Sequence, residues 1–152
     1  MIIIYKKILL AIDGSLHANN AAEQVAEFQK MWESKVVMFH SVKHHKIPTG
    51  MFPVESFPVE LYRDMEEASK KAGELLLVET QEIFNQKGLS VETRLIEEDE
   101  PEVYIRKIVE KENFDLVVLG SKGRHSKLKE ILLGTVSTKV LKSAPCDVLI
   151  VR

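Results

Sequence analysis

The chain has 152 residues, enough for one ordinary domain around one core and too few for two, so a single domain is expected along its whole length. Its 21 basic and 23 acidic side chains nearly cancel, which leaves no global field to draw the protein onto nucleic acid or an anionic membrane. The only cysteine, Cys146, excludes an internal disulfide, and without a signal-peptide pattern or an apolar run of spanning length a cytoplasmic location is expected.

In chain order, short β-rich runs alternate with amphipathic segments, the pattern of βα units around a parallel sheet. The first strand is expected over 6–12 (KKILLAI), continuing the apolar MIII start. Ser15 is then a plausible N-cap for a helix over 16–32, with Ala18, Ala22, Val25 and Ala26 at helical spacing. A second strand follows over 35–42 (KVVMFHSV). The stretch from 43 to 59, with three prolines and one glycine, is too long for an idle connection, and reads equally as a lid or partner surface and as a mobile loop.

Leu61, Met65, Ala68, Ala72, Leu75, Leu76 and Ile83 form the apolar stripe of a long second helix, which Gly88 can end in a left-handed conformation. The third strand, 90–96 (SVETRLI), alternates in polarity and belongs toward an edge. Pro101 suits the first turn of a third helix with Val103, Ile105, Ile108 and Val109 on its apolar side. The fourth strand is 115–119 (DLVVL). A fourth helix starts beside Gly134, turns Val136, Val140 and Leu141 inward and stops before Pro145; the fifth strand, 147–151 (DVLIV), closes the chain.

In open parallel sheets ligands sit beyond the carboxyl ends of the strands. After strand one comes Asp13-Gly14-Ser15, and after strand four comes GSKGRHSKLKEILLGTVS, with glycines at 120, 123 and 134 that let backbone amides approach an anion. Gly134 precedes Thr135, Val136 and Ser137, so free amides, the positive end of a helix dipole and two hydroxyls converge in a pattern that favours phosphate. Asp13 can accept hydrogen bonds from a ribose or an adenine amino group, or can cap the first helix together with Ser15.

GSKGRHSKLKEILLGTVSTKV resembles the universal stress protein signature of Gly, two residues, Gly, nine residues, Gly and then Ser or Thr. YKKILLAIDGS, FHSV, EKENFDLVVLGS and SAPCDVLIVR are similar to that family's first, second and last two strands. The resemblance implies an α/β fold of the adenine nucleotide alpha hydrolase-like, Rossmann-like type. Its open five-stranded parallel sheet has the order 3-2-1-4-5, helices cover both faces, and a nucleotide lies across strands one and four. Carried over residue by residue, the resemblance puts Ala11 and Asp13 beside the adenosine and the Ser41 backbone against adenine. It puts Gly120, Ser121, Gly123 and Arg124 along the phosphate loop, and Gly134, Thr135, Val136 and Ser137 around ribose and phosphates. It further implies ATP, with Mg²⁺ or Mn²⁺ as companion ion although the sequence supplies no carboxylate cage for one, and a homodimer through the last strand.

Three departures qualify this. Ten residues rather than nine separate Gly123 from Gly134, so the loop bulges within RHSKLKEILL. Asp99 stands where the family carries a glycine ahead of its proline, here Pro101, and is expected to add a carboxylate near the phosphates and weaken triphosphate binding. Ser41 replaces a common valine.

Other candidates have blander readings. His44 and His45, with His40 nearby, lack a familiar metal-ligand spacing and read as solvated loop histidines, as does His125. The acidic run 97–100 reads as a solvated turn whose last members favour the start of helix three. Lys122, Arg124, Lys127 and Lys129 make a patch too small for nucleic acid, and Cys146 reads as a small core residue. No Gly-x4-Gly-Lys-Ser/Thr run is present, which excludes a phosphate-loop NTPase, and the acidic pair and lysine of a response-regulator receiver are missing. Without an identifiable base, ATP hydrolysis is expected to be slow, so the sequence reads as a non-enzymatic ATP-binding stress or signalling module. The alternatives are a nucleotide-independent dimeric scaffold acting on protein partners and, more remotely, a slow ATPase.

Overall fold

The computed structural model describes residues 2, 4–45, 50–122 and 133–152. Ten-residue segment 123–132 is outside this range, and with it the expected loop bulge and the expectations for Gly123, Arg124, His125, Lys127 and Lys129. The elements alternate as β1 (Lys7–Ala11), α1 (Leu16–Trp32), β2 (Lys35–Ser41), α2 (Val59–Asn85), β3 (Glu92–Ile96), α3 (Pro101–Glu112), β4 (Leu116–Gly120), α4 (Thr135–Ser143) and β5 (Asp147–Val151). All five strands join one sheet in the order β3-β2-β1-β4-β5, and every neighbouring pair is parallel. The alternating strand SVETRLI does lie at an edge, with β5 at the other.

The aliphatic strands supply both faces of the sheet, since successive side chains point opposite ways. Ile8, Leu10, Val36, Met38, Leu116 and Val118 pack with α1 and α2, while Leu9, Val37, Phe39, Val117 and Leu119 pack with α3 and α4. Because β1 and β2 lie covered on both sides, they carry no polar stripe. The small residues of α1, with Ala18, Ala21, Ala22, Val25 and Ala26 all buried, let that helix lie close on the sheet. At β4 it comes so near that a Cβ on Gly120 would stand 2.7 Å from the Ala18 amide nitrogen. Close packing against α1 therefore accounts for glycine at 120.

Helix α2 departs from expectation. It buries Gly73, Leu77, Thr80 and Phe84, with Leu76 and Ile83 partly covered, whereas Leu61, Met65, Ala68, Ala72 and Leu75 are exposed. The reason is length. Twenty-seven residues make a helix of about 40 Å, roughly twice the span of a strand of five to seven residues. Gly73 is level with the strand ends, where its missing Cβ would stand 2.9 Å from both His40 Cδ2 and Leu95 Cδ1, so the half of α2 before it projects past the sheet. Gly88, at φ +69, follows the helix as expected. On α4, Val140 is buried and Val136 half-buried, but Leu141 is 46% exposed, because only one side of this nine-residue helix meets the sheet.

Candidate functional site

The connections that leave β1 and β4 run to opposite sides, since β2 lies on one flank of this central pair and β5 on the other. That divergence opens a crevice at their carboxyl ends. A cleft of about 990 Å³ occupies it. Ala11, Asp13, Ser41, Gly120, Gly134, Thr135, Val136 and Ser137 all line it, so eight of the eleven residues singled out from sequence meet in one place.

On the β1 side, Gly14 adopts φ +81 and turns the chain into α1. The Ser15 amide donates to Asp13 Oδ1 at 2.9 Å, and Ser15 Oγ accepts from the Ala18 amide at 3.1 Å. Asp13 thus shapes the turn into α1 and, being exposed in the cleft, presents its carboxylate there. On the β4 side, the Ser121 amide donates to the Val151 carbonyl at 2.8 Å and the Gly134 amide to the Ser121 carbonyl at 2.6 Å. Ser137 Oγ donates to the Gly120 carbonyl at 2.7 Å. These bonds fix the start of α4 against the end of β4. The first intrahelical bond there is from Thr138 to Gly134, and no described side chain caps the helix. Among the described residues the amides of Thr135, Val136 and Ser137 meet no acceptor, and they stand at the positive end of the helix dipole.

Ser121 is placed differently from expectation. It is 1% exposed, does not line the cleft, and its hydroxyl meets His17 Nδ1 at 2.6 Å, so it locks α1, β5 and α4 together. His17 had no signal in the sequence, because its partner lies 104 residues away.

Asp99 does not carry free charge into the cleft. Lys107 Nζ holds its carboxylate at 3.0 and 3.2 Å, and Glu100 and Pro101 are the residues of that turn that line the cleft. The Asp99 carbonyl accepts the Ser41 hydroxyl, so two of the three departures from the family pattern are partners of each other.

The histidines after β2 are bonded rather than merely solvated. His40 Nδ1 donates to the Ile12 carbonyl at 2.8 Å, which ties β2 to the end of β1. His44 Nδ1 meets Glu66 Oε2 at 2.8 Å while its Nε2 meets the Glu97 carbonyl, and His45 Nε2 meets Ser69 Oγ at 3.0 Å. Both neighbours of the His44 ring are acceptors, so both ring nitrogens donate. The Glu66 carboxylate first, and the Glu97 carbonyl with it, raise the His44 pKa, while the His45 amide and His44 lower that of Glu66. Cys146 is half-buried, and desolvation beside Asp147 pushes its thiol up to about 11. That keeps it a protonated thiol at neutral pH.

With this geometry in place, the comparison with known proteins is decisive on ancestry. The description Universal stress protein family matches residues 4–152. The chain belongs to the universal stress protein family. Universal stress protein MJ0577 of Methanocaldococcus jannaschii is 31% identical over 164 residues, covering 100% of this chain and 98% of that one. The solved structure of MJ0577 superposes with a TM-score of 0.70 at 32% identity, covering 97% and 96%. UspA from Lactobacillus plantarum reaches a TM-score of 0.81 at 19% identity over 97% and 98% of the two chains, a likeness of fold. A universal stress protein from Archaeoglobus fulgidus, solved in complex with dAMP, matches at 0.65 and 19% identity over 99% and 100%. Among the described residues no three His, Cys, Asp or Glu side chains converge where they could hold a metal ion, and no helix is long and apolar enough to cross a membrane.

Proposed function

We propose that the protein is an adenine-nucleotide-binding stress-response or signalling module, with ATP as its ligand, acting in the cytoplasm without catalysing a reaction of its own. The observation that carries this reading is the first turn of α4, capped by no described side chain, at the same cleft as the Asp13 carboxylate. Phosphate oxygens accept from the α4 amides, and Asp13 accepts from the nucleoside. The dAMP held by the Archaeoglobus relative of the same fold supports the ligand class. Any Mg²⁺ or Mn²⁺ that accompanies the triphosphate would be held by phosphate oxygens and water, because the described cleft residues form no carboxylate cage.

The open edge of β5, whose Val148, Leu149, Ile150 and Val151 are only half-buried, supports a homodimer through that strand. The same edge favours the second reading, a dimeric scaffold that works through protein contacts without nucleotide. Acid extraction of freshly purified protein, followed by calorimetric titration with AMP, ADP and ATP, separates the two. Copurified or tightly bound adenine nucleotide supports the module. Failure of all three to bind below about 1 mM, a binding free energy weaker than about −4 kcal/mol, leaves the scaffold. ATP turnover above buffer background would overturn the non-catalytic part.

A further inference from the structure

From its projecting half, α2 carries a second apolar line that the buried core leaves uncovered and that ends at the cleft, which Ala72 and Leu75 line. Leu61, Met65, Ala68, Ala72 and Leu75 recur at alternating intervals of four and three residues, the spacing of a two-helix seam. Leu61 is 59% exposed and Leu75 58%, with Met65 at 39%. At 100° per residue this line lies roughly 130° around the helix from the buried line of Gly73, Leu77, Thr80 and Phe84. The projecting half is held from the protein's side. Glu66 bonds His44 and the His45 amide, Ser69 bonds His45, and Lys70 pairs with Glu97 at 3.5 Å. Leu61, Met65 and Ala68 are exposed and lie outside the cleft.

We infer that this seam is a self-association surface, on which a second copy of the chain seats its own α2 antiparallel about a two-fold axis at Ala68. Two features of the segment select that occupant. The line Leu-Met-Ala-Ala-Leu reads nearly the same in both directions, so Leu61 meets the second copy's Leu75, Met65 meets its Ala72, and the small Ala68 side chains let the helices approach at the axis. The charges are arranged to match. Residues 59–67 carry four acidic side chains and one basic, whereas residues 69–75 carry Lys70 and Lys71 against the single Glu74. An antiparallel partner sets Asp64, which flanks the seam, beside Lys71 of the second copy, while a parallel one leaves both beside uncharged residues.

The ion pairs now on these side chains, such as Lys71 with Glu67 at 3.3 Å, are exposed and cost little to exchange. At about 21 Å the seam is short, so the contact is of the small, weak class. It is separate from the β5 edge. A chain with two isologous surfaces associates further than a dimer, into tetramers or open rows.

Sedimentation of the full chain over a concentration series tests the surface. Leu61→Glu with Met65→Glu, both at exposed positions, is expected to weaken one association step at least tenfold. An unchanged series places self-association elsewhere and overturns the inference while leaving the nucleotide reading intact. Orientation is read by cross-linking in a Cys146→Ser background under mild oxidant. Ala68→Cys is expected to link to itself, and Leu61→Cys to link to Leu75→Cys on mixing. Linking of Leu61→Cys to itself in preference, or no linking by Ala68→Cys, refutes the antiparallel two-fold.

Discussion

At the start of α1 the chain satisfies its own amides, Ser15 Oγ taking the Ala18 N–H at 3.1 Å and Asp13 Oδ1 the Ser15 N–H at 2.9 Å, whereas at the start of α4 no described side chain takes up the first turn. Both helices begin at one cleft, on the two strands where the connections diverge. The difference assigns them different work. A capped helix end is a finished piece of scaffold, and its dipole is already offset by a nearby carboxylate. An uncapped end keeps its donors and its positive potential for a ligand.

Making the second end resemble the first is the strongest way to break this contrast. Gly134 has φ −73 and ψ 171, the extended conformation of an N-cap, so Gly134→Asp can cap α4 without backbone strain. Thermal stability should hold or rise by a few tenths of a kcal/mol. Nucleotide affinity should fall roughly a hundredfold or more, because a carboxylate about 4 Å from a phosphate is repelled by several kcal/mol in a partly screened site. Calorimetric titration beside a melting curve reads both quantities. Full affinity in the variant would mean that the phosphates do not sit on α4.

Removing the carboxylate at the other end is the next largest change. If Asp13 accepts a hydrogen bond from the nucleoside, Asp13→Ala costs about 1.5 to 3 kcal/mol of binding, roughly ten- to a hundredfold. If it only shapes the turn before Ser15, the melting temperature drops and affinity stays. Taking away the cap itself gives the complement: Ser15→Ala should cost about 1 kcal/mol of stability, seen in urea unfolding, with nucleotide affinity unchanged.

The contrast between the two helix ends was only half legible in the sequence. Ser15 announced the α1 cap, and the element boundaries followed because strands covered on both faces are continuously aliphatic and end at Gly, Pro or charge. The candidate cleft residues were found through glycines and a resemblance, yet the reasons at individual positions differ. Gly120 is small because α1 lies on it, and Ser121 serves His17 rather than the cleft. The pairing of Ser41 with the Asp99 carbonyl joins residues 58 apart, which no local pattern encodes. Periodicity also identified the apolar stripe on α2 but not its surroundings. A stripe says that a face is apolar, while only the length of the sheet says where the protein stops covering it.

The smallest effect concerns a third strand end, that of β2, where the chain is fastened by a proton. His44 offers a donor to Glu66 on α2 and another to the Glu97 carbonyl beyond β3, so the bridge is complete only in the imidazolium form. Glu100 also favours that charge, while Lys70 is paired with the Glu97 carboxylate. Because the His44 pKa is raised on folding, its contribution to stability is whole below the unfolded value of about 6.5 and disappears as pH climbs through the higher folded one. Glu66 shifts the other way, so it stays ionised throughout that window and does not disturb the measurement. Urea midpoints taken between about pH 5.5 and 8.5 should therefore decline for the parent and flatten in His44→Gln. The change should be modest, since the His44 side chain is 48% exposed and solvent screens the pair. Identical slopes in the two proteins would mean that the ring sits neutral and the loop after β2 is held by the His45 contacts alone.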